Sequence, residues 1–367
     1  MKAKVVGIGL GLLACAVLVC GQGTPASAAP SMEDFATLND GAVDAHLVPR
    51  YAAFAAAGEG LDEALRRDCA DGALNDPASR EAYHGMTDGW MAVQHLRFGP
   101  SELFLRADRV QFWPDKRGRT GRHLGRLLSE ADPAVLEPDR FAKGSVAVQG
   151  LPALERLLFA LPMGSDPAFA CQVALRIGAN LKDIAGGLLA DWRDGPSAYA
   201  AVLRVPPGGN AHYLDAKEAS LELVKALRSA LLLVADFKLD RPLGKSQKAA
   251  KPKRAESWRS ARSLRNVRIN LAAAEALYAG GSGGIAALVR GQPGGSEIDA
   301  RMVAGFERAE EKLTALPESL MAALDQPDGW QRLDALRQEV RGLLDLVSGP
   351  MSQALDLPLG FNSFDGD

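Results

Sequence analysis

Beyond residue 30, apolar residues recur three and four positions apart, and no stretch alternates apolar and polar positions convincingly. The clearest series is Val173, Ile177, Leu181, Ile184, Leu188 and Trp192. Ser165-Asp166-Pro167 opens it, supplying a capping side chain before a proline suited to a first helical turn. A second helix carries Leu214, Leu221, Val224, Leu231 and Val234, and a third carries Leu264, Val267, Leu271, Ala274 and Tyr278. The same spacing predicts helices near 40–58, 61–72, 77–97, 101–112, 117–130, 147–160, 297–315 and 331–347. Many helices without strands predict an all-α fold in which helix packs on helix.

Glycine and proline mark the breaks. Leu161-Pro162-Met163-Gly164 divides the helices into two groups and predicts a domain boundary, with halves at 33–163 and 165–358 and a tail at 359–367. Val205-Pro206-Pro207-Gly208-Gly209 reads as an interhelix loop. Two glycine clusters, at 280–284 and 291–295, bracket a short apolar turn. The run 245–254 is basic and turn-rich, the pattern of a solvated linker.

The first 28 residues read as an address. Lys2 and Lys4 precede an apolar run from Val5 to Cys20, and Ala26-Ser27-Ala28 offers a cleavage site, the order of a secretory signal. The run is shorter than a membrane span of about 20 residues. Leu12-Leu13-Ala14-Cys15 loosely fits an acylation box, but it would leave the later Ala-x-Ala site without a purpose, so ordinary export to the periplasm is favoured over lipidation at Cys15. Cleavage after Ala28 removes Lys2, Lys4 and no acid, so the net charge of −3 falls by two. It also leaves Cys69 and Cys171 as the remaining cysteines, and an even pair in an oxidising compartment predicts a disulfide.

Composition narrows the chemistry a little. With 367 residues, 47% hydrophobic and 24% charged, the chain is an ordinary globular sequence long enough for two domains. Near-neutral charge gives no case for nucleic acid. His-Glu-x-x-His, Cys-x-x-Cys-His, phosphate-loop and Gly-x-Ser-x-Gly motifs are all absent from the sequence. His84, Asp88 and His95 share a helical face, but the two histidines stand three turns apart, too far to hold one ion, so a polar face is the better reading. Lys116, Arg117, Arg119, Arg122, His123 and Arg126 make a basic helix start without aromatic interleaving, read as solvated surface.

Two segments resist a bland reading. Arg259, Arg262, Asn266 and Asn270 fall on a helical stripe about 115° from the apolar centre at ~100° per residue. A second polar stripe beside Trp258 points to buried carboxylates or to an anionic ligand. In Val148–Phe159, Glu155 is the one carboxylate of a very apolar helix, and Pro152 suits a first turn but would kink a helix already running from Val146. Glu155 is a candidate acid, ligand or partner of an interface arginine.

At these segments the chain resembles the imelysin family. The likeness runs through Leu96-Arg97-Phe98-Gly99-Pro100, Trp113-Pro114-Asp115, Gln149–Glu155, Lys238–Gly244, Glu256–Ser260 and the tail Gly360–Asp367. The resemblance implies two helical domains, each built around a four-helix bundle, with a site in the cleft between them. It also implies an exported protein linked to iron regulation or uptake, and a family motif Gly-x-His-x-x-Glu regarded as a metal site of a metallopeptidase. Here Gly150 and Glu155 match, but Pro152 occupies the histidine position and has no donor or acceptor side chain.

The two readings converge on Arg97, Trp113, Asp115, Glu155, Lys238, Arg241, Arg259 and Arg262 as an interdomain polar pocket. Arginines would make bidentate contacts, acids would hold them, and tryptophans would wall the pocket. The expectation is a non-catalytic periplasmic binding or accessory protein for a small anion or peptide carboxylate, working beside envelope iron-uptake proteins. No cofactor is predicted, since ligand spacing supports neither iron nor zinc. A metallopeptidase with unrecognised ligands and a purely structural scaffold remain as alternatives.

Overall fold

The computed structural model describes residues 1–3, 29–193, 195 and 198–360. Residues 4–28 of the predicted leader, with Cys15, and residues 361–367 of the tail lie outside the described residues. The described residues form helices and turns, with no strand.

The first half contains α1 (Met32–Ala42), α2 (Val48–Asp68), α3 (Pro77–Val93), α4 (Arg106–Val110), α5 (Arg119–Glu130), α6 (Pro138–Ala142) and α7 (Leu151–Phe159). It continues with α8 (Pro167–Arg193), α9 (Tyr199–Leu203), α10 (Ala216–Leu232) and α11 (Arg241–Leu243). The remainder is α12 (Ser263–Ala279), α13 (Ile285–Arg290), α14 (Gly295–Thr314), α15 (Leu320–Leu324), α16 (Gly329–Leu346) and α17 (Ser352–Ala354). Three π-helical segments, Val43–Leu47, Leu233–Asp240 and Val347–Met351, join consecutive helices without a break in the chain's helical course.

Local chemistry sets the helix starts. Ser31 and Asp34 form a reciprocal capping box at α1, and Asp76 and Asp215 cap α3 and α10 with their carboxylates. Pro152 sits in the first turn of α7, where a missing N–H leaves nothing unpaired.

The expected helices 40–58 and 61–72 are one run from α1 through α2. Gly58 does not break it, because it is there for packing: a Cβ at Gly58 would stand 3.1 Å from the Lys182 backbone of α8. The expected 101–112 helix is interrupted, since Phe104 and Leu105 both take left-handed φ, 57° and 54°.

Helix α2 packs along α3 and α8, so helices on either side of the Leu161–Gly164 turn lie against each other. Asp62 of α2 pairs with Lys182 of α8 at 3.1 Å, and the Cys69–Cys171 disulfide ties the residue that ends α2 to α8 with Cα atoms 5.5 Å apart. Closing a loop of 102 residues stabilises the fold by on the order of 5 kcal/mol in the chain-entropy picture. Helix α10 packs on α1, α12 and α16, and α14 lies on α16. One apolar cluster from Phe35 to Leu357 runs beneath all of them. No described helix is long and apolar enough to cross a membrane.

Candidate functional site

A cavity of about 320 Å3 opens where four segments meet: the 111–120 stretch leading into α5, the first turns of α7, α11, and the loop 253–259 ahead of α12. The sequence-predicted Trp113, Asp115, Glu155, Arg241 and Arg259 all line it. Arg156, Lys253 and Arg254 line it too, which sequence reasoning did not anticipate. The last two belong to the basic run read as solvated, and they are exposed as that reading expects while also lining the cavity mouth. Their placement directly before Glu256-Ser257-Trp258-Arg259 was the one available signal.

The helical stripe needs correction. Helix α12 begins at Ser263, and Ser257 and Ala261 adopt left-handed φ of 49° and 55°. Arg259 therefore sits in an irregular loop. Arg262, Asn266 and Asn270 keep the stripe and turn it inward, all three buried.

Both carboxylates of the cavity are engaged by backbone N–H groups and a serine hydroxyl rather than by arginine side chains. Asp115 accepts the backbone N–H groups of Arg119 and Thr120 at 2.8 Å each. Burial works to raise its pKa, but the hydrogen bonds from Thr120, Arg119 and Arg117 together hold the carboxyl below its ordinary value. Glu155 is only 4% exposed, and its Oε1 accepts Arg259 N–H at 3.0 Å, Ser260 N–H at 2.9 Å and Ser260 Oγ–H at 2.8 Å. Burial dominates there and pushes the Glu155 pKa up, against the opposing Ser260 bonds. Glu155 thus fixes the 257–260 loop to α7.

The cations are not so matched. Five basic side chains, Arg156, Arg241, Lys253, Arg254 and Arg259, face the two engaged acids. Among the described residues, none of the five makes a side-chain ion pair within 4 Å. Burial and the neighbouring Arg254 lower the Arg241 pKa, and its Nη1 is buried without a partner. Burial and Arg156 lower that of Arg259, whose guanidinium lies 4.2 Å from the Trp258 ring centre. Lys253 Nζ lies 5.5 Å from the same ring.

Lys238 and Arg262 lie outside the cavity lining, in a buried network beneath it. Lys238 Nζ meets Glu256 Oε2 at 2.7 Å with both side chains about 1% exposed. Gln94 and Gln111 donate to Glu256 Oε1 at 3.2 and 3.1 Å, and Asn266 donates to Oε2 at 2.7 Å. Lys238 also donates to Gln94 Oε1 at 2.8 Å. Burial lowers the Lys238 pKa and the Glu256 charge opposes that. Arg262 donates to Asn266 Oδ1 at 2.8 Å, to the His84 carbonyl and Nδ1 at 2.9 Å each, and to Asp88. Asp88 also holds Arg265 at 2.5 Å. The polar face at His84 and Asp88 is therefore an arginine clamp between α3 and α12, and His95 lies beyond the end of α3. Gln111 joins the two layers, since it lines the cavity while donating to Glu256. Arg97 belongs to neither layer and pairs with Glu102 at 3.1 Å.

The metal that the family motif implies does not fit this donor set. Pro152 and Glu155 occupy the motif positions, no histidine lines the cavity, and both carboxylates already accept N–H groups amid five cations. Among the described residues no group of three His, Cys, Asp or Glu side chains is placed to hold an ion.

The family model described as Imelysin, of the M75 peptidase class, matches residues 47–347. Among solved structures the chain is similar to an imelysin-like protein from Psychrobacter arcticum 273-4, with a TM-score of 0.71, 17% identity, and coverage of 90% of this chain and 98% of that one. It is also similar to a "putative iron-regulated protein A precursor" from Parabacteroides distasonis ATCC 8503, with a TM-score of 0.73, 16% identity, and coverage of 89% and 96%. At those identities the likeness establishes the fold. No curated protein matches the sequence significantly.

Proposed function

The chain belongs to the imelysin family, and on that premise we propose that it is an exported, non-catalytic binding protein whose cavity takes a small anion or a peptide carboxylate. One observation carries this reading: five basic side chains surround a cavity that holds two acids, and none of the five has a carboxylate within 4 Å among the described residues. An anionic ligand supplies the missing partners, with guanidinium groups matching carboxylate or phosphate oxygens two at a time. Trp258 and Trp113 give the ligand an apolar wall while Arg259 stays stacked on the indole.

Export follows from the leader-like first 28 residues and agrees with the Cys69–Cys171 disulfide, which an oxidising compartment favours. The name of the Parabacteroides relative concerns iron regulation, and a role beside iron uptake in the envelope is the corresponding proposal here. The test is titration of the purified chain with citrate, pyrophosphate and a peptide with a free C-terminal carboxylate. Saturable binding of at least one, lost on Arg241→Gln/Arg259→Gln, supports the reading. Metal-dependent peptide hydrolysis by the pure protein replaces it.

A further inference from the structure

A second cavity, of about 120 Å3, lies remote in sequence from the first, between the α1–α2 run and the end of α12. Its apolar part is made by Leu38, Ala42, Ala45, Ala276 and Leu277, and its polar part by His46 and Arg50. The π-helical turn Val43–Leu47 carries His46, and such turns recur at functional positions.

His46 is buried and meets His95 with the two Nε2 atoms 3.3 Å apart. Burial first, and then the neighbouring charges, hold both rings neutral, His46 down at about 2 and His95 at about 3. Two neutral imidazoles sharing an Nε2–Nε2 hydrogen bond must be opposite tautomers. One ring then carries its proton on Nδ1 and the other has a bare Nδ1. Both Nδ1 atoms are buried without a partner. Leaving a buried donor unpaired is unfavourable, so the Nδ1–H calls for an acceptor.

Arg50 adds a cation with the same deficiency. It is half-buried, burial lowers its pKa, and its Nη1 donates to the His46 carbonyl at 3.4 Å. Among the described residues no carboxylate lies within ion-pair distance of it.

We propose that this cavity is a binding site for a small aliphatic monocarboxylate, with the carboxylate between Arg50 and the Nδ1–H of His46 and the alkyl chain among Leu38, Ala42, Ala276 and Leu277. The anion neutralises Arg50 and selects the His46 tautomer that donates from Nδ1, with His95 donating to His46 through Nε2. The space is somewhat smaller than the roughly 150 Å3 that holds a benzene molecule, which suits a two- to four-carbon acid.

The experiment is NMR titration of the whole purified chain with sodium propionate, read on the imidazole nitrogens of His46 and His95 so that ligand in the larger cavity does not contribute. The expected result is a saturable shift at a Kd on the order of millimolar, with His46 fixed as the Nδ1–H tautomer. Arg50→Gln and Ala276→Leu, the second filling the apolar part without touching a charge, should each weaken it at least tenfold. Should Ala276→Leu fail to fold, Arg50→Gln decides, because Arg50 is only half-buried. Binding that survives Arg50→Gln, an equal shift with chloride, or no shift at about 100 mM propionate overturns the proposal.

Discussion

The cavity and the network beneath it use the same side-chain types to opposite ends. In the buried layer each charge has found its counterpart: Lys238 meets Glu256, Arg262 meets Asp88, and amides fill the remaining valences. In the cavity wall the two acids accept backbone N–H groups, while none of the five cations has a carboxylate within 4 Å among the described residues. Matched burial holds the halves of the chain together, and unmatched cations beside open space wait for a ligand. Charge count alone would not separate the two layers; the identity of each partner does.

The sharpest way to break this comparison is to cut one bond in the lower layer. Lys238→Met leaves Glu256 buried and uncompensated, and should destabilise the fold by about 3–5 kcal/mol in urea unfolding. If the loss is below about 1 kcal/mol, the layers do not differ as described.

The converse change is Arg241→Gln with Arg259→Gln. Stability should stay within about 1 kcal/mol, since neither side chain has an ion pair to lose, while affinity for the best anionic probe should fall at least tenfold. A large unfolding effect would assign these arginines to the scaffold.

A smaller effect is expected from pH. The folded pKa of Glu155 is raised above its unfolded value, so its contribution is fully present below about 4.5 and is lost as pH rises through the folded pKa. Asp115 has the opposite sign: its contribution is present above its ordinary value near 3.8 and is lost as pH falls through the lowered folded pKa. Glu155→Gln should therefore flatten the decline in stability above pH 4.5, and Asp115→Asn the decline below 3.8. Unfolding curves for each variant across pH 3–8 check both signs.

Smallest of all, salt should weaken anion binding at the solvent-open cavity several-fold between about 0.05 and 0.5 M, and leave the Lys238-dependent stability almost unchanged.

The helices were legible because three-and-four spacing survives in every long element, including α8 and α12. The inward turn of Arg262, Asn266 and Asn270 was legible from their offset against the apolar face, and the cysteine pair from the leader that strips the other two. Their partners were not. Gln94 and Gln111 reach Glu256, and Asp88 reaches Arg262, from 145 or more residues away, a relation that spacing within one helix does not encode. Arg259 was misplaced because the pattern hides the left-handed residues Ser257 and Ala261. Lys253 and Arg254 were taken for linker because charge runs usually are. The π-helical turns, which place His46 and Lys238, leave no apolar signature of their own.

The most direct test is calorimetric titration of citrate, pyrophosphate and a carboxylate-terminated peptide into the intact chain and into Arg241→Gln/Arg259→Gln, with urea unfolding of the same samples. The account predicts one molar equivalent of at least one anion bound to the natural protein, and at least tenfold weaker binding to a variant that unfolds at nearly the same urea concentration. Absence of binding by all three, or equal binding by both proteins, would contradict it.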